Sequence, residues 1–143
     1  MILVDANLLL YASFKHFEQH ERARNWIDQQ FASTTRVGLP WHSLLGFVRL
    51  GSQRRAFPYA LTVAEAWAEV RSWLALPNVW VPLPTDRHAE ILDHLLTSGN
   101  VGHGRVMDIH LAALAIEHGL IVCSNDNDFA RFPNVRWLNP LDA

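Results

Sequence analysis

Four apolar residues, Leu120-Ile121-Val122-Cys123, run directly into five polar ones, Ser124-Asn125-Asp126-Asn127-Asp128. The first group reads as a buried strand, and Phe129 and Phe132 then resume apolar spacing as the start of a short helix would. No other stretch constrains the fold as tightly. Carboxylates crowded at the end of a buried strand repel one another and lose hydration. A fold that keeps them must supply a cation, basic partners or protons.

At 143 residues the chain suits one domain, 1–143, with a sizeable core. No apolar run approaches the roughly 18 to 20 residues of a membrane span. Met1-Ile2-Leu3-Val4-Asp5 places an acid in the first apolar run and offers no basic leader, which argues against a signal peptide. The expectation is therefore a soluble, cytoplasmic protein. Cys123 is the single cysteine, so neither an intrachain disulfide nor a thiolate zinc site is available, and its neighbours predict an inert buried thiol. The formal charge of −2 carries no global nucleic-acid signature.

In chain order, Ile2 to Val4 reads as a strand with Asp5 at its end, and Asn7 and Leu8 to Tyr11 open a helix or tight crossover. Helical spacing covers Phe17 to Phe31. Val37 to Leu39 reads as a second strand, and Trp41 to Leu50 as a helix with Leu44, Leu45, Phe47 and Val48 inward. A loop spans Gly51 to Ala60. Thr62 and Glu65 match a capping box ahead of Val63, Trp67, Val70 and Leu74. Val79 to Val81 forms a strand, Asp86 to Ser98 a helix and Gly99 to Gly104 a loop. Met107 to His118 is an alanine- and leucine-rich helix, with Gly119 suited to the left-handed position beyond it. Val135 to Leu138 closes the chain as a strand.

Short apolar strands alternating with helices predict an α/β fold with a mainly parallel sheet. Sites in such sheets lie outside the C-terminal strand ends. Asp5 and Asp126 both follow their strands, and Asp108 lies in the first turn of the helix leading into the last acidic strand. The topology thus brings three carboxylates to one sheet edge. Oxygen-only ligands favour Mg²⁺ or Mn²⁺, and such a cluster suits metal-assisted phosphodiester hydrolysis. A plainer reading remains for each acid alone, as a helix cap or first-turn residue. Asp5, ending an N-terminal core strand, is the hardest to explain that way.

Val4-Asp5-Ala6-Asn7-Leu8-Leu9, Val106 to Ala115 and Cys123 to Phe132 together resemble three motifs of the PIN-domain ribonucleases. They are most similar to the VapC-type toxins of bacterial toxin–antitoxin pairs. The resemblance covers essentially the whole chain. It implies a PIN-like three-layer fold, a central mainly parallel sheet flanked by helices. It also implies Mg²⁺- or Mn²⁺-dependent endoribonuclease activity on RNA of the translation machinery, tRNA or rRNA. A cognate antitoxin that blocks the site is implied as well, and a homodimer is expected. Carried over by position, Asp5, Asp108 and Asp126 would be metal ligands, with Asp128 an accessory catalytic acid. Asn7 and Ser124 would orient the carboxylates.

One departure stands out. The family's usual glutamate on the helix after the second strand falls here at Gly46 or Leu45, although Arg49 matches. That gap keeps open a weakened PIN scaffold acting as an RNA- or partner-binding module. Phosphoryl transfer through an Asp5 nucleophile, as in haloacid-dehalogenase-like phosphatases or receiver domains, needs a lysine from a later strand. Lys15, the sole lysine, follows Asp5 too closely.

The remaining polar residues have simpler expectations. His16 and His20 share a helix face as solvated residues, and His88 and His94 lie on different faces of theirs. His103 sits in a mobile loop, where RNA phosphate or the antitoxin is its alternative partner. Arg49, Arg54, Arg55 and Arg105 lie near the acidic edge, each by itself expected to be solvated. Trp41, Trp67 and Trp73 belong to the core, any exposed one suiting antitoxin or dimer contact.

Overall fold

The computed structural model describes residues 1–99 and 101–142. Asn100, inside the expected Gly99 to Gly104 loop, and Ala143 lie outside the described residues. Among these residues five short strands, β1 (Ile2–Val4), β2 (Val37–Gly38), β3 (Val79–Trp80), β4 (Ile121–Cys123) and β5 (Trp137–Leu138), form one sheet. Its order is β3-β2-β1-β4-β5, and every pairing is parallel. Among the described residues six helices connect and cover them: α1 (Ala6–Ser13), α2 (His20–Ala32), α3 (Trp41–Gly51), α4 (Val63–Leu74), α5 (His88–Thr97) and α6 (Val106–His118).

The pleat explains the three layers. Alternate strand residues face opposite sides, so Ile2 and Val4 join the α1–α4 side of the core while Leu3 and Val122 pack with Leu111 and Leu114 of α6. Cys123 is fully buried, and burial pushes its thiol up to about 12, as an inert thiol requires. The sheet is wound outward in both directions from β1. Successive strands run to β2 and β3 on one side, while β4 and β5 lie on the other. The reversal falls between β1 and β4, registered Val4 opposite Cys123, and a crevice at such a switch point is where parallel sheets bind ligands.

Local chemistry sets several boundaries. Thr62 Oγ1 accepts from Glu65 N at 3.1 Å and Glu65 Oε1 from Thr62 N at 2.9 Å, the reciprocal box expected at α4. Gly119 adopts φ 66° after α6 and turns the chain into β4. A Cβ on Gly38 would stand 3.0 Å from the Ile2 carbonyl oxygen, so a glycine lets β2 lie close to β1.

Other expectations need correction. The second helix begins at His20, because Phe14 to His20 is used in successive turns. His16 is therefore an exposed residue before the helix, stacked near Phe17, and shares no helix face with His20. Leu45 is 54% exposed and Val63 62% exposed. Leu44 and Phe47 of α3, with Ala66 and Val70 of α4, take the inward positions instead. Trp41 and Trp67 are partly exposed and stack at 6.4 Å between centroids, while Trp73 packs into the core against Phe47. The Gly99 to Gly104 segment includes the start of a 3-10 turn over His103–Arg105. The terminal strand is only Trp137–Leu138.

Candidate functional site

Asp5 ends β1 and caps α1, its Oδ1 accepting from Ala6 N at 2.7 Å. Its Oδ2 accepts from Ser124 Oγ at 2.7 Å. The same hydroxyl accepts from Asp126 N at 3.0 Å and from Asn7 Nδ2 at 3.1 Å, while Asn7 Oδ1 accepts from Asn125 N at 3.3 Å. Ser124, fully buried, thus ties the end of β1 to the turn after β4. A buried hydroxyl with all its bonding capacity used fixes its neighbours firmly.

Asp126 is itself a cap, its Oδ1 accepting from Asp128 N at 3.0 Å at the head of a 3-10 turn over Asn127–Arg131. The cap reading of Asp5 and Asp126 is therefore correct as far as it goes. It does not account for the electrostatics. Burial pushes the Asp5 carboxyl above its ordinary value, against the Ser124 and Ala6 hydrogen bonds, and the charge of Asp108 adds to the push. Asp108 is raised too, by burial first and by Asp126, against its bond to Arg105. Four acids from three distant segments are thus gathered, and two already resist ionising.

Arg105 answers that charge. Its Nη1 lies 3.1 Å from Asp108 Oδ2 and 2.6 Å from Asp126 Oδ2, and its Nη2 is paired with Asp128. The two acids Asp108 and Asp126 in turn hold the guanidinium more firmly protonated. The solvated role expected for Arg105 is overturned, because it sits three residues before Asp108 at the mouth of the crevice. Among the described residues, Arg131 is the one other arginine paired with these acids, 3.6 Å from Asp128. Lys15 lies beyond the far end of α1, a helix about 12 Å long, which removes the lysine an Asp5 phosphotransfer site would need.

The glutamate gap is real in space as well as in sequence. A Cβ built on Gly46 meets only Ala6 Cβ, at 3.4 Å, beside Asp5. Gly46→Glu should therefore be tolerated and add a carboxylate facing the site. Mn²⁺ affinity, which rises with ligand charge, is expected to tighten by about tenfold in titration calorimetry; unchanged affinity would mean that position 46 does not address the site.

A second polar cluster was not foreseen. His88 Nδ1 is paired with Glu117, His88 Nε2 lies 3.1 Å from His110 Nδ1, and Thr85 donates to Glu117 Oε1 through N and Oγ1, both at 2.7 Å. The His42 ring stands 6.1 Å from His110 and near enough to Asp5 and Asp108 to favour their ionised forms. His42, one turn before Gly46 on the same face of α3, was the readable signal; His88 and Glu117 carry none, being 29 residues apart. Burial raises Glu117, but its hydrogen bonds from His88 and Thr85 outweigh that and leave it lowered. Its contribution to stability is present above the ordinary glutamate value and is lost as pH falls through the lowered folded one. His88→Ala is expected to cost about 1–3 kcal/mol in urea unfolding at pH 7, because the shielded Glu117 carboxylate loses a partner.

Comparison with known proteins agrees with this architecture. The PIN-domain family model matches residues 2–135. The chain is 44% identical over 140 residues to ribonuclease VapC37 of Mycobacterium tuberculosis, covering 98% of this chain and 97% of that protein. It is 40% identical over 141 residues to ribonuclease VapC33 of the same species, covering 99% of each. Among solved structures, VapBC2 of Rickettsia felis, bound to a promoter DNA fragment, superposes with a TM-score of 0.68 at 16% identity, over 97% of this chain and 98% of that one. Mycobacterium tuberculosis VapC20, described as a sarcin–ricin-loop-cleaving toxin, gives 0.64 at 18% identity, over 95% and 99%. These two likenesses establish the fold. The chain belongs to the PIN-domain family and, within it, to the VapC group.

Proposed function

We propose that this chain, as one domain over residues 1–143, is the endoribonuclease toxin of a toxin–antitoxin pair. The carrying observation is the gathering of Asp5, Asp108, Asp126 and Asp128 at the switch point of the sheet, the last three bridged by Arg105. The donor set fits Mg²⁺ or Mn²⁺, since every candidate ligand is a carboxylate oxygen. Arg105 acts as the stand-in cation. Among the described residues no three acidic, histidine or cysteine side chains already close on one point as a metal cage; Asp108, Asp126 and Asp128 close on the guanidinium instead.

Asp5, Asp108 and Asp126 would hold the ion, with Asp128 the accessory acid. When bound, such an ion lowers the pKa of water and offsets charge on a phosphodiester. Ser124 and Asn7 hold the Asp5 carboxylate in place, so this ligand needs little reorientation to meet an ion. The substrate would be RNA of the translation machinery, tRNA or rRNA. A cognate antitoxin would block the same edge, and the exposed Trp41–Trp67 pair suits its contact or that of a homodimer. No helix among the described residues is long and apolar enough to cross a membrane, and action in the cytoplasm fits the proposed substrate.

Gly46 favours a second reading, a weakened scaffold that binds without cutting. Calorimetry separates the two. A working site binds Mn²⁺ more tightly than its Asp5→Ala variant, whereas a dead one does not.

A further inference from the structure

Beside the acids the surface opens into a cavity of about 480 Å³, within the range of small-ligand sites. Arg105 and Asp128, both members of the acid cluster, form part of its wall. A group seated there is thus one side chain away from the carboxylates. Arg131 and His94 line it as well, and the partly exposed Phe132 gives it an apolar side, with Leu95 buried behind. Arg105 already spans Asp108, Asp126 and Asp128, so the exposed Arg131 and His94 are the basic groups this wall offers an anion. The Arg131 side chain is 82% exposed and only loosely tied to Asp128 at 3.6 Å, so it can turn toward an incoming anion.

Guanidinium groups beside an aromatic wall match single-stranded nucleotides, whose bases stack and whose phosphates take charge-assisted bonds. We propose that this cavity seats the nucleotide adjoining the cleaved bond of a single-stranded RNA. The base lies against the partly exposed Phe132, and the flanking phosphate lies on Arg131. The assignment rests on the ribonuclease reading above. It adds where the strand runs: from the acids of the switch point across the 3-10 turn toward α5.

The test uses the full chain and fluorescent single-stranded oligoribonucleotides. Arg131→Glu and His94→Glu are exposed changes expected to leave thermal melting unaltered. Each should raise KM about tenfold with kcat nearly kept, while Arg131→Lys retains most binding. In an Asp126→Asn background, where cleavage should be slowed by about 100-fold or more, Arg131→Glu should weaken anisotropy-measured RNA binding by the same factor. An abasic ribose on one side of the cut should weaken binding about tenfold, and on the other side little. The proposal is overturned if the charge reversals stay within twofold of the parent in both assays. It is equally overturned if they impair binding of an antitoxin peptide while sparing RNA. A parent chain that neither binds nor cuts RNA would sink the ribonuclease reading together with the cavity. A parent that cuts, with variants that cut equally well, sinks the cavity alone.

Discussion

Asp126→Asn should reduce Mn²⁺-supported RNA cleavage by about 100- to 1,000-fold, the usual loss on removing one group that stabilises transition-state charge. Asparagine keeps an oxygen for the Asp128 N bond and therefore the cap of the 3-10 turn, so the fold should survive. Asp5→Asn should lose cleavage to a similar extent with little change in melting temperature, because removing a buried charge offsets the lost Ser124 hydrogen bond. Asp5 is held above the ordinary carboxylate range by burial, which means that its charge costs the folded state. Loss of activity with retained stability is a pattern that misfolding does not produce. If both variants cut RNA like the parent, the carboxylate mechanism is wrong.

The same burial fixes a sign for pH. In the metal-free chain the folded state binds protons at Asp5 and Asp108 more readily than the unfolded state does. Their joint contribution is fully present below about pH 3.9, the value of an unperturbed aspartate, and is lost as pH rises through their raised folded values. Urea unfolding in chelator should show a shallower dependence over that window for Asp5→Asn than for the parent.

Arg105→Ala should act in two opposite directions. Without metal, Asp108, Asp126 and Asp128 lose the guanidinium that bridges them, and the melting temperature should fall. With metal, a divalent ion no longer displaces a resident cation. Mn²⁺ should then bind about tenfold more tightly, the lower end of the range by which groups touching ligands change metal affinity. Arg105→Lys should fall between, because an ammonium is a point charge and lacks the fork that spans several carboxylates. Calorimetry and melting with and without Mn²⁺ read both effects independently of cleavage. Unchanged or weaker Mn²⁺ binding in Arg105→Ala would show that the arginine is not competing for the acids.

The sequence by itself determined the parallel α/β fold, because short apolar strands between helical stripes have few other ways to bury their faces. It also determined the sheet edge where Asp5, Asp108 and Asp126 meet, since position relative to a strand end is a local property that topology converts into proximity. The Thr62–Glu65 box and the Gly119 cap were legible for the same reason, each being a local backbone requirement. What the tertiary structure alone decided depends on angles between distant elements. Leu45 and Trp67 fit an apolar helical stripe, yet the rotation of α3 and α4 leaves both partly exposed. The pairing of His88 with Glu117 joins two helices whose packing no local pattern encodes. The acidic run after Leu120 declared in the sequence its need for a cation, basic partners or protons. That Arg105 supplies the basic partner, from a turn whose last step into α6 aims it at three carboxylates, follows only from the packed fold.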